Sequence, residues 1–238
     1  QYETCMDRRH AGKIFWNMAR MNGVVPQISV NFGPSPAGAA YLPAFCDLVV
    51  MVEGQTSVYL GSPRMAEAVI GEKTTHEEMG GARMHCTVSG LGDILAKDED
   101  EAIEVTKRYL SYLPSHWEEL PPDGVPRPPK PGRPIEEIVP MDQSKPFDMY
   151  ELIDRLVDEG TFFEIKKLYA PELITGLARL DGMVVGILAN QPMVKGGVLY
   201  ANSAEKGAQF VSLCTAFNIP IITLMDVSGF MIETQVER

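Results

Sequence analysis

The chain has 238 residues, 45% of them hydrophobic and 22% charged, enough to bury a substantial core in one or two globular domains and unlike a disordered segment. Its formal net charge is −11 and its Lys and Arg are dispersed, with PRPPKPGR the densest basic run, which argues against nucleic-acid binding. No apolar run approaches the roughly 18 to 20 residues of a membrane span and no signal peptide opens the chain, so it reads as soluble and intracellular.

Gln1 is not an initiator and Arg238 follows a strand and a Gly-containing turn with no capping element, which reads as part of a larger polypeptide. GKIFWNMARM (12–21) has apolar positions at helical spacing and stops at Asn22-Gly23. VVPQISVNF reads as a buried strand, and the glycine-rich corner after it leads to a short helix at AAYLPAF (39–45), limited by Pro43. DLVVMVEG and TSVYLG follow as short strands. Ser62 and Pro63 supply an N-cap and a first-turn proline for a helix that ends at Gly71. Thr75 with Glu78 forms a capping box for HEEMGG; Asp98 with Glu101 opens another helix, whose Ile103, Tyr109 and Leu110 can face a core.

Residues 118–142 contain eight prolines, and the stretch reads as a semi-rigid linker in which no packed helix or central strand forms. Beyond it, Asp148 with Glu151 caps a helix whose Met149, Leu152, Ile153, Leu156 and Val157 make one apolar stripe. ELITGLARL and MVVGILAN meet at Asp181-Gly182, a hairpin signal. Asn202 with Glu205 caps a helix through Phe217, and PIITLMDV reads as a buried strand. Strands separated by helices in both pieces indicate an α/β fold with largely buried sheets.

The corner NFGPSPAGAAYLPAFCD (31–47) is built from residues with almost no side chain. A strand feeding a helix through such a turn gathers the helix's unpaired first-turn N–H groups, with the positive end of its dipole, at one point. The corner has no lysine, so it is not a Walker loop, and the spacing of Gly33 and Gly38 does not fit a dinucleotide fingerprint. Main-chain donation to an oxyanion is the chemistry left to it. A tight turn where a helix packs closely on a strand explains the same composition, and both readings stand at this point.

The four cysteines, Cys5, Cys46, Cys86 and Cys214, are far apart and read as free thiols in a reducing compartment. His76 and His85 lie among acids beside Cys86, but neighbours such as His85 and Cys86 point to opposite sides of a strand, so the histidines read as structural or surface residues with no metal site. The 13 methionines read as core filler and interface padding.

GPSPAGAAYLPAFCDLVVM, GARMHCTVSGLGD, FFEIKKLYAPELITGLARLDGMVVGILANQP and GGVLYANSAEKGAQFVSLCTAFNIPIITLMDVSGFM follow one another in the chain. In that order they resemble the carboxyltransferase (β) subunits of biotin-dependent acyl-CoA carboxylases of the propionyl-CoA and methylcrotonyl-CoA type. The resemblance spans nearly all of the chain. It implies the crotonase-like (ClpP/crotonase) α/β fold, with parts of two related ββα-type domains, because family members are roughly twice as long. Residues 1–120 would be the rear of the N-terminal, acyl-CoA-side domain, 121–142 the Pro-rich linker, and 143–238 the front of the C-terminal, biotin-side domain.

The resemblance also implies a reaction. Carboxybiotin on a partner protein delivers CO2 to the α-carbon of an acyl-CoA; biotin then acts as its own base, and two consecutive backbone N–H groups hold the enolate oxygen. By motif position those belong to Gly38 and Ala39; most relatives have two glycines there, so Ala39 departs from the commoner pattern. Ser35, Pro36 and Ala37 would line the acyl and pantetheine path, and Gly61, Ser62 and Pro63 would lie near acyl-CoA, although an ordinary helix start also explains the last three. Gly229 and Phe230 correspond to the biotin-side loop, where Glu233 replaces a common glycine. The implied cofactors are biotin carried by a partner and a coenzyme A thioester as substrate, without metal. The implied partners are a biotin carboxylase or biotin carboxyl carrier subunit and further copies of the chain in a dimer-built hexamer, in the cytoplasm or alternatively the mitochondrial matrix.

Two other readings stay open: a biotin-dependent acyl-CoA decarboxylase subunit, with which YLSYLP and VPMDQSKPFDMYELIDRLVD are also compatible, and a noncatalytic assembly component or inactive fragment. PAGAAY and SAEKGAQF favour the carboxylase. The isolated 238-residue chain is expected to be inactive, because the family's site forms between the N-terminal domain of one subunit and the C-terminal domain of another.

Overall fold

A computed structural model describes residues 11–142 and 144–232. They divide into two compact units, one running through Leu110 with Ser115–Glu118, the other formed by Ser111–Pro114 and the chain from Glu119 onward.

The first unit opens with α1 (Ala11–Met21), then β1 (Ile28–Asn31), β2 (Pro34–Pro36), a 3-10 turn (Ala37–Ala40) that runs on into α2 (Tyr41–Ala44), β3 (Leu48–Val52) and β4 (Ser57–Tyr59). Next come α3 (Pro63–Ile70), α4 (His76–Gly80), α5 (Ala82–Met84), β5 (Ile94–Ala96) and α6 (Glu99–Leu110). β1, β3 and β5 form a parallel sheet with β3 in the middle, in the register Val30↔Val50 and Val50↔Ile94. All five residues of β3 are buried, which is why LVVMV is apolar throughout instead of alternating.

Three expectations are corrected in this unit. β1 is the edge of the described sheet, so Ile28 to Val30 are only half-buried and Asn31 alone is fully covered. On α6, Tyr109 and Ala102 are buried against β1 and β3, whereas Ile103 and Leu110 point outward at 43% and 47% exposure. His85 and Cys86 open a π-helical turn, His85–Ser89, rather than a strand, so the opposite-faces argument does not apply to them. His85 is nonetheless structural: Nε2 faces Val58 O at 2.7 Å and Nδ1 faces Ser89 Oγ at 2.7 Å. A carbonyl only accepts, so Nε2 carries the proton.

In the second unit the proline-rich stretch is fastened down. Gly124 N donates to Gly182 O at 2.9 Å, Glu159 N to Pro128 O at 3.2 Å, and Lys130 pairs with Asp154 at 3.0 Å. It also holds a short helix, α7 (Ile135–Ile138), with Ile138 buried, contrary to the expectation of none. Pro134 directly precedes that helix, where its missing N–H costs nothing, and no proline falls within it.

α8 (Met149–Leu156) follows, capped by Asp148 accepting from Tyr150 N at 3.0 Å; Glu151 turns away to pair with Arg133. Met149, Ile153 and Val157 are buried, with Leu152 and Leu156 packed at their margin. They lie on a sheet of order β6 (Phe163–Ile165), β7 (Leu173–Leu180), β8 (Met183–Asn190) and β9 (Ile221–Leu224). The β7–β8 hairpin closes at Asp181 (φ 51) and Gly182 (φ 82), the left-handed pair of a two-residue hairpin turn.

α9 (Ala201–Ala216) crosses over to bring β9 in parallel to β8. Its N-cap is Tyr200, not Asn202: Tyr200 N donates to Ser203 Oγ at 2.6 Å. Leu199 is tied to Gly229 and Met231, so the chain is free to coil only after Tyr200. Among the described residues β9 is an edge of the sheet, half-buried with Thr223 exposed, which corrects the expectation of a buried strand.

Candidate functional site

Two groups of sequence-predicted residues meet in the first unit because β2 and β4 run parallel. Pro34 pairs with Ser57, Ser35 with Val58 and Pro36 with Tyr59. Parallel strands discharge their chains at the same edge, so the turn after Pro36 emerges beside Leu60, Gly61 and Ser62. β2 was not foreseen; its two prolines suit only a short edge pairing.

The turn bends at Ala37, which has φ 54, after Pro36 in an extended conformation (φ −86, ψ 159). Neither Gly33 nor Gly38 has positive φ, so the left-handed corner rests on an alanine rather than a glycine. Gly38 contributes space instead: a Cβ built there meets nothing within 4 Å. Gly38 and Ala39 are exposed and Ala40 is buried against Val49, Met51, Val58 and Ala82, which anchors the turn from behind. First-turn amides of a helical segment have no intrahelical acceptor, so this geometry suits donation to a ligand.

At the neighbouring edge, Ser62 Oγ accepts from Met65 N at 3.3 Å, Pro63 occupies the first turn and Gly71 (φ 72) ends α3. A cleft of about 750 Å3 opens between the two edges. Ala40 and Tyr41 flank it on one side, Gly61, Ser62, Met65, Ala66, Val69 and Ile70 on the other, and Val58, Met79, His85 and Leu91 also line it. Among the described residues no Asp, Glu, Lys or Arg lines the cleft. The apolar face of α3 escaped the sequence reading; its signal was Met65, Ala66, Val69 and Ile70 at helical spacing on a helix with no buried residue.

Among the described residues that line the cleft, the side chains with polar atoms are Tyr41, Tyr59, Ser62 and His85, and Ser62 Oγ is taken up by Met65 N. The ring nitrogens of His85 are both engaged, as above. Burial pushes the Cys46 thiol up to about 11 and that of Cys214 to about 12, which keeps both protonated. Among the described residues no three His, Cys, Asp or Glu side chains group to hold a metal, and no helix is long and apolar enough to cross a membrane.

Gly229 and Phe230 belong to the second unit. Gly229 has φ 142, a conformation glycine favours, and open space where a Cβ would stand. Its carbonyl accepts from Leu199 N at 3.1 Å, and Met231 N donates to Leu199 O at 2.8 Å, which leaves Phe230 69% exposed. Glu233 and Cys5 lie outside the described residues.

Comparison with known proteins matches the carboxyl transferase domain over residues 1–238. The chain is 60% identical over 232 residues to the uncharacterized carboxylase YngE of Bacillus subtilis, covering 97% of this chain and 45% of that one. It is 40% identical over 229 residues to the propionyl-CoA carboxylase carboxyltransferase subunit of Haloferax mediterranei, covering 95% of this chain and 44% of that subunit. A crystal structure of the transcarboxylase 12S hexamer with hydrolysed methylmalonyl-coenzyme A superposes with a TM-score of 0.91 at 39% identity, covering 95% of this chain and 45% of that one. The chain thus spans less than half the length of these relatives.

Proposed function

Because the chain belongs to the carboxyl transferase domain family, with the crotonase-like carboxyltransferase fold, we propose that it is part of a subunit that moves a carboxyl group from carboxybiotin to the α-carbon of an acyl-CoA. The observation that supports this reading is the parallel pairing of Pro36 with Tyr59, which brings the end of the Ala37–Ala40 turn, where Ala40 and Tyr41 line the cleft, to the same edge as Gly61 and Ser62. The cleft's 750 Å3 and apolar walls fit the pantetheine arm and acyl chain of a coenzyme A thioester.

In this proposal the Gly38 and Ala39 N–H groups donate to the thioester oxygen as the α-carbon loses its proton and the oxygen becomes anionic. One such donor is worth about 3 kcal/mol of transition-state stabilisation. Ser35, Pro36 and Ala37 line the approach, and Gly61, Ser62 and Pro63 flank the thioester. Biotin, when bound, supplies the carboxyl group and takes up the proton; the fit of the biotin side rests on the open, glycine-specific conformation at Gly229 with Phe230 beside it.

The domain assignment is part of the proposal: 1–120 on the acyl-CoA side, 121–142 as connector, 143–238 on the biotin side. So are a biotin carboxylase or carrier partner, assembly as a dimer-built hexamer, and a cytoplasmic or mitochondrial-matrix location. The test is transfer of labelled carboxyl from a carboxylated biotin carrier to propionyl-CoA or methylcrotonyl-CoA by the full-length protein. Labelled acyl-CoA product supports the reading; its absence with both acyl-CoAs and with acetyl-CoA overturns it.

A further inference from the structure

Lys195 lies in the left-handed region (φ 49) and is followed there by Gly196 (φ 64) and Gly197 (φ 67). Glycine adopts that conformation freely. A lysine does not, and such strain persists only where the surroundings hold it. Two neighbours hold this one: the ammonium lies 3.4 Å from Glu172 Oε2 and 4.3 Å from the centroid of the Tyr200 ring. Glu172 is 1% exposed, and that same oxygen is buried with no hydrogen-bond partner. A buried carboxylate oxygen needs compensation, and here it comes through space from Lys195, with Lys206 of α9 also within electrostatic reach of Glu172.

The strained turn touches the segment that carries Gly229 and Phe230. Asn190 Nδ2 donates to Gly197 O at 2.9 Å, and Gly197 is so close to Asp226 that a Cβ would come within 2.8 Å of its carbonyl oxygen. Two residues further on, Leu199 makes its paired backbone bonds to Gly229 and Met231 at 3.1 and 2.8 Å. A shift at 195–197 is therefore passed to 226–231 by direct contact.

We infer that Glu172 and Lys195 are positioning residues, whose ion pair holds the turn at 195–197, and through it the segment 226–231, in the shape that receives the carboxyl donor. The identity of the donor as carboxybiotin rests on the carboxyltransferase reading; the mechanical link rests on the contacts alone. A pair that served stability only would lower activity toward donor and acceptor alike. A positioning pair acts on the donor.

The experiment uses the full-length protein with its carboxylated biotin carrier and propionyl-CoA. Lys195→Met removes the ammonium and keeps most of the stem, Glu172→Gln removes the carboxylate at nearly constant volume, and Lys195→Arg restores the charge. The expected result for the first two is a rise of about fivefold in KM for the carrier, the scale of a half-exposed ion pair. KM for propionyl-CoA stays unchanged, hydrogen exchange at the Leu199 and Met231 amides accelerates, and Lys195→Arg retains most of the wild-type behaviour. Unchanged exchange at those amides in Lys195→Met overturns the inference whatever the activity, and so does an equal rise in both KM values. If the wild-type protein transfers no carboxyl group at all, the functional reading falls and the exchange rates alone decide the positioning role.

Discussion

Pro36 and Tyr59 are register partners across two parallel strands, and this pairing brings the Ala37–Ala40 turn and the Leu60–Ser62 entry into α3 to the same edge. Neither segment makes a site alone. Together they put Ala40 and Tyr41 on one lip of the cleft and the apolar surface of α3 on the other, with the proposed donors Gly38 and Ala39 in the same turn as Ala40.

Gly38→Pro removes one of the two proposed donors without filling occupied space, since nothing stands within 4 Å of the Cβ position. The expected outcome in the full-length protein is a fall in kcat of about 100-fold or more, the scale of a lost oxyanion donor, with the protein still folded but with a lower thermal midpoint, because proline restricts the preceding Ala37, which stands at φ 54. Gly38→Ala keeps the N–H and serves as the control. Full activity in Gly38→Pro would remove this amide from the mechanism.

Asp158 is 2% exposed, and its carboxylate accepts from Asp181 N at 2.9 Å, Gly182 N at 2.9 Å and Arg127 N at 3.3 Å. It thereby ties the β7–β8 turn to the proline-rich stretch. Asp158→Ala leaves those donors without this acceptor in a buried place and should cost about 2–4 kcal/mol, read as a lower denaturation midpoint. A midpoint equal to wild type would mean that water replaces the carboxylate at no cost.

Gly186 lets α9 settle on β8: an added Cβ would come within 2.7 Å of Cys214 Sγ, which is itself fully buried. Gly186→Ala should destabilise by about 1–3 kcal/mol through overpacking. Gly186→Ala combined with Cys214→Ala should recover part of that loss, and a double variant no better than the single one would place the strain elsewhere.

Lys206 Nζ is buried and donates to the carbonyls of Lys166 and Tyr169 at 2.8 Å and of Ala170 at 3.3 Å. Burial lowers its pKa from 10.5 to about 8, opposed by the charges of Glu164 and Glu172. Between those values the unfolded chain binds more protons than the folded one, so the contribution of this group to stability rises with pH from about 8 to about 10.5. Denaturation of wild type and Lys206→Met across that window should show the wild-type advantage growing by about 3 kcal/mol. An advantage that shrinks with rising pH contradicts the sign.

What the chain announced in its sequence was local. Ser62 and Thr75 cap their helices through side-chain oxygens three residues from their targets, and Asp181-Gly182 turns by its own conformational preferences, so each is legible without the rest of the fold. What escaped depends on distant partners. Ala37 takes a left-handed conformation that alanine does not favour, because β2 is paired to β4 before it and Ala40 is anchored after it. Tyr200 displaces Asn202 as the N-cap because Leu199 is bound to Gly229 and Met231, thirty residues away and more. The apolar stripe of α3 was readable as amphipathic, but that it faces a cleft instead of a core depends on where β2 and β4 end.

The most direct measurement is a crystal structure of the full-length protein with a non-hydrolysable acyl-CoA analogue bound. The account predicts the carbonyl oxygen within hydrogen-bonding distance, about 3 Å, of the Gly38 and Ala39 amides, with the acyl and pantetheine groups along α3. A carbonyl turned away from that turn, or an analogue seated outside the cleft, would contradict it.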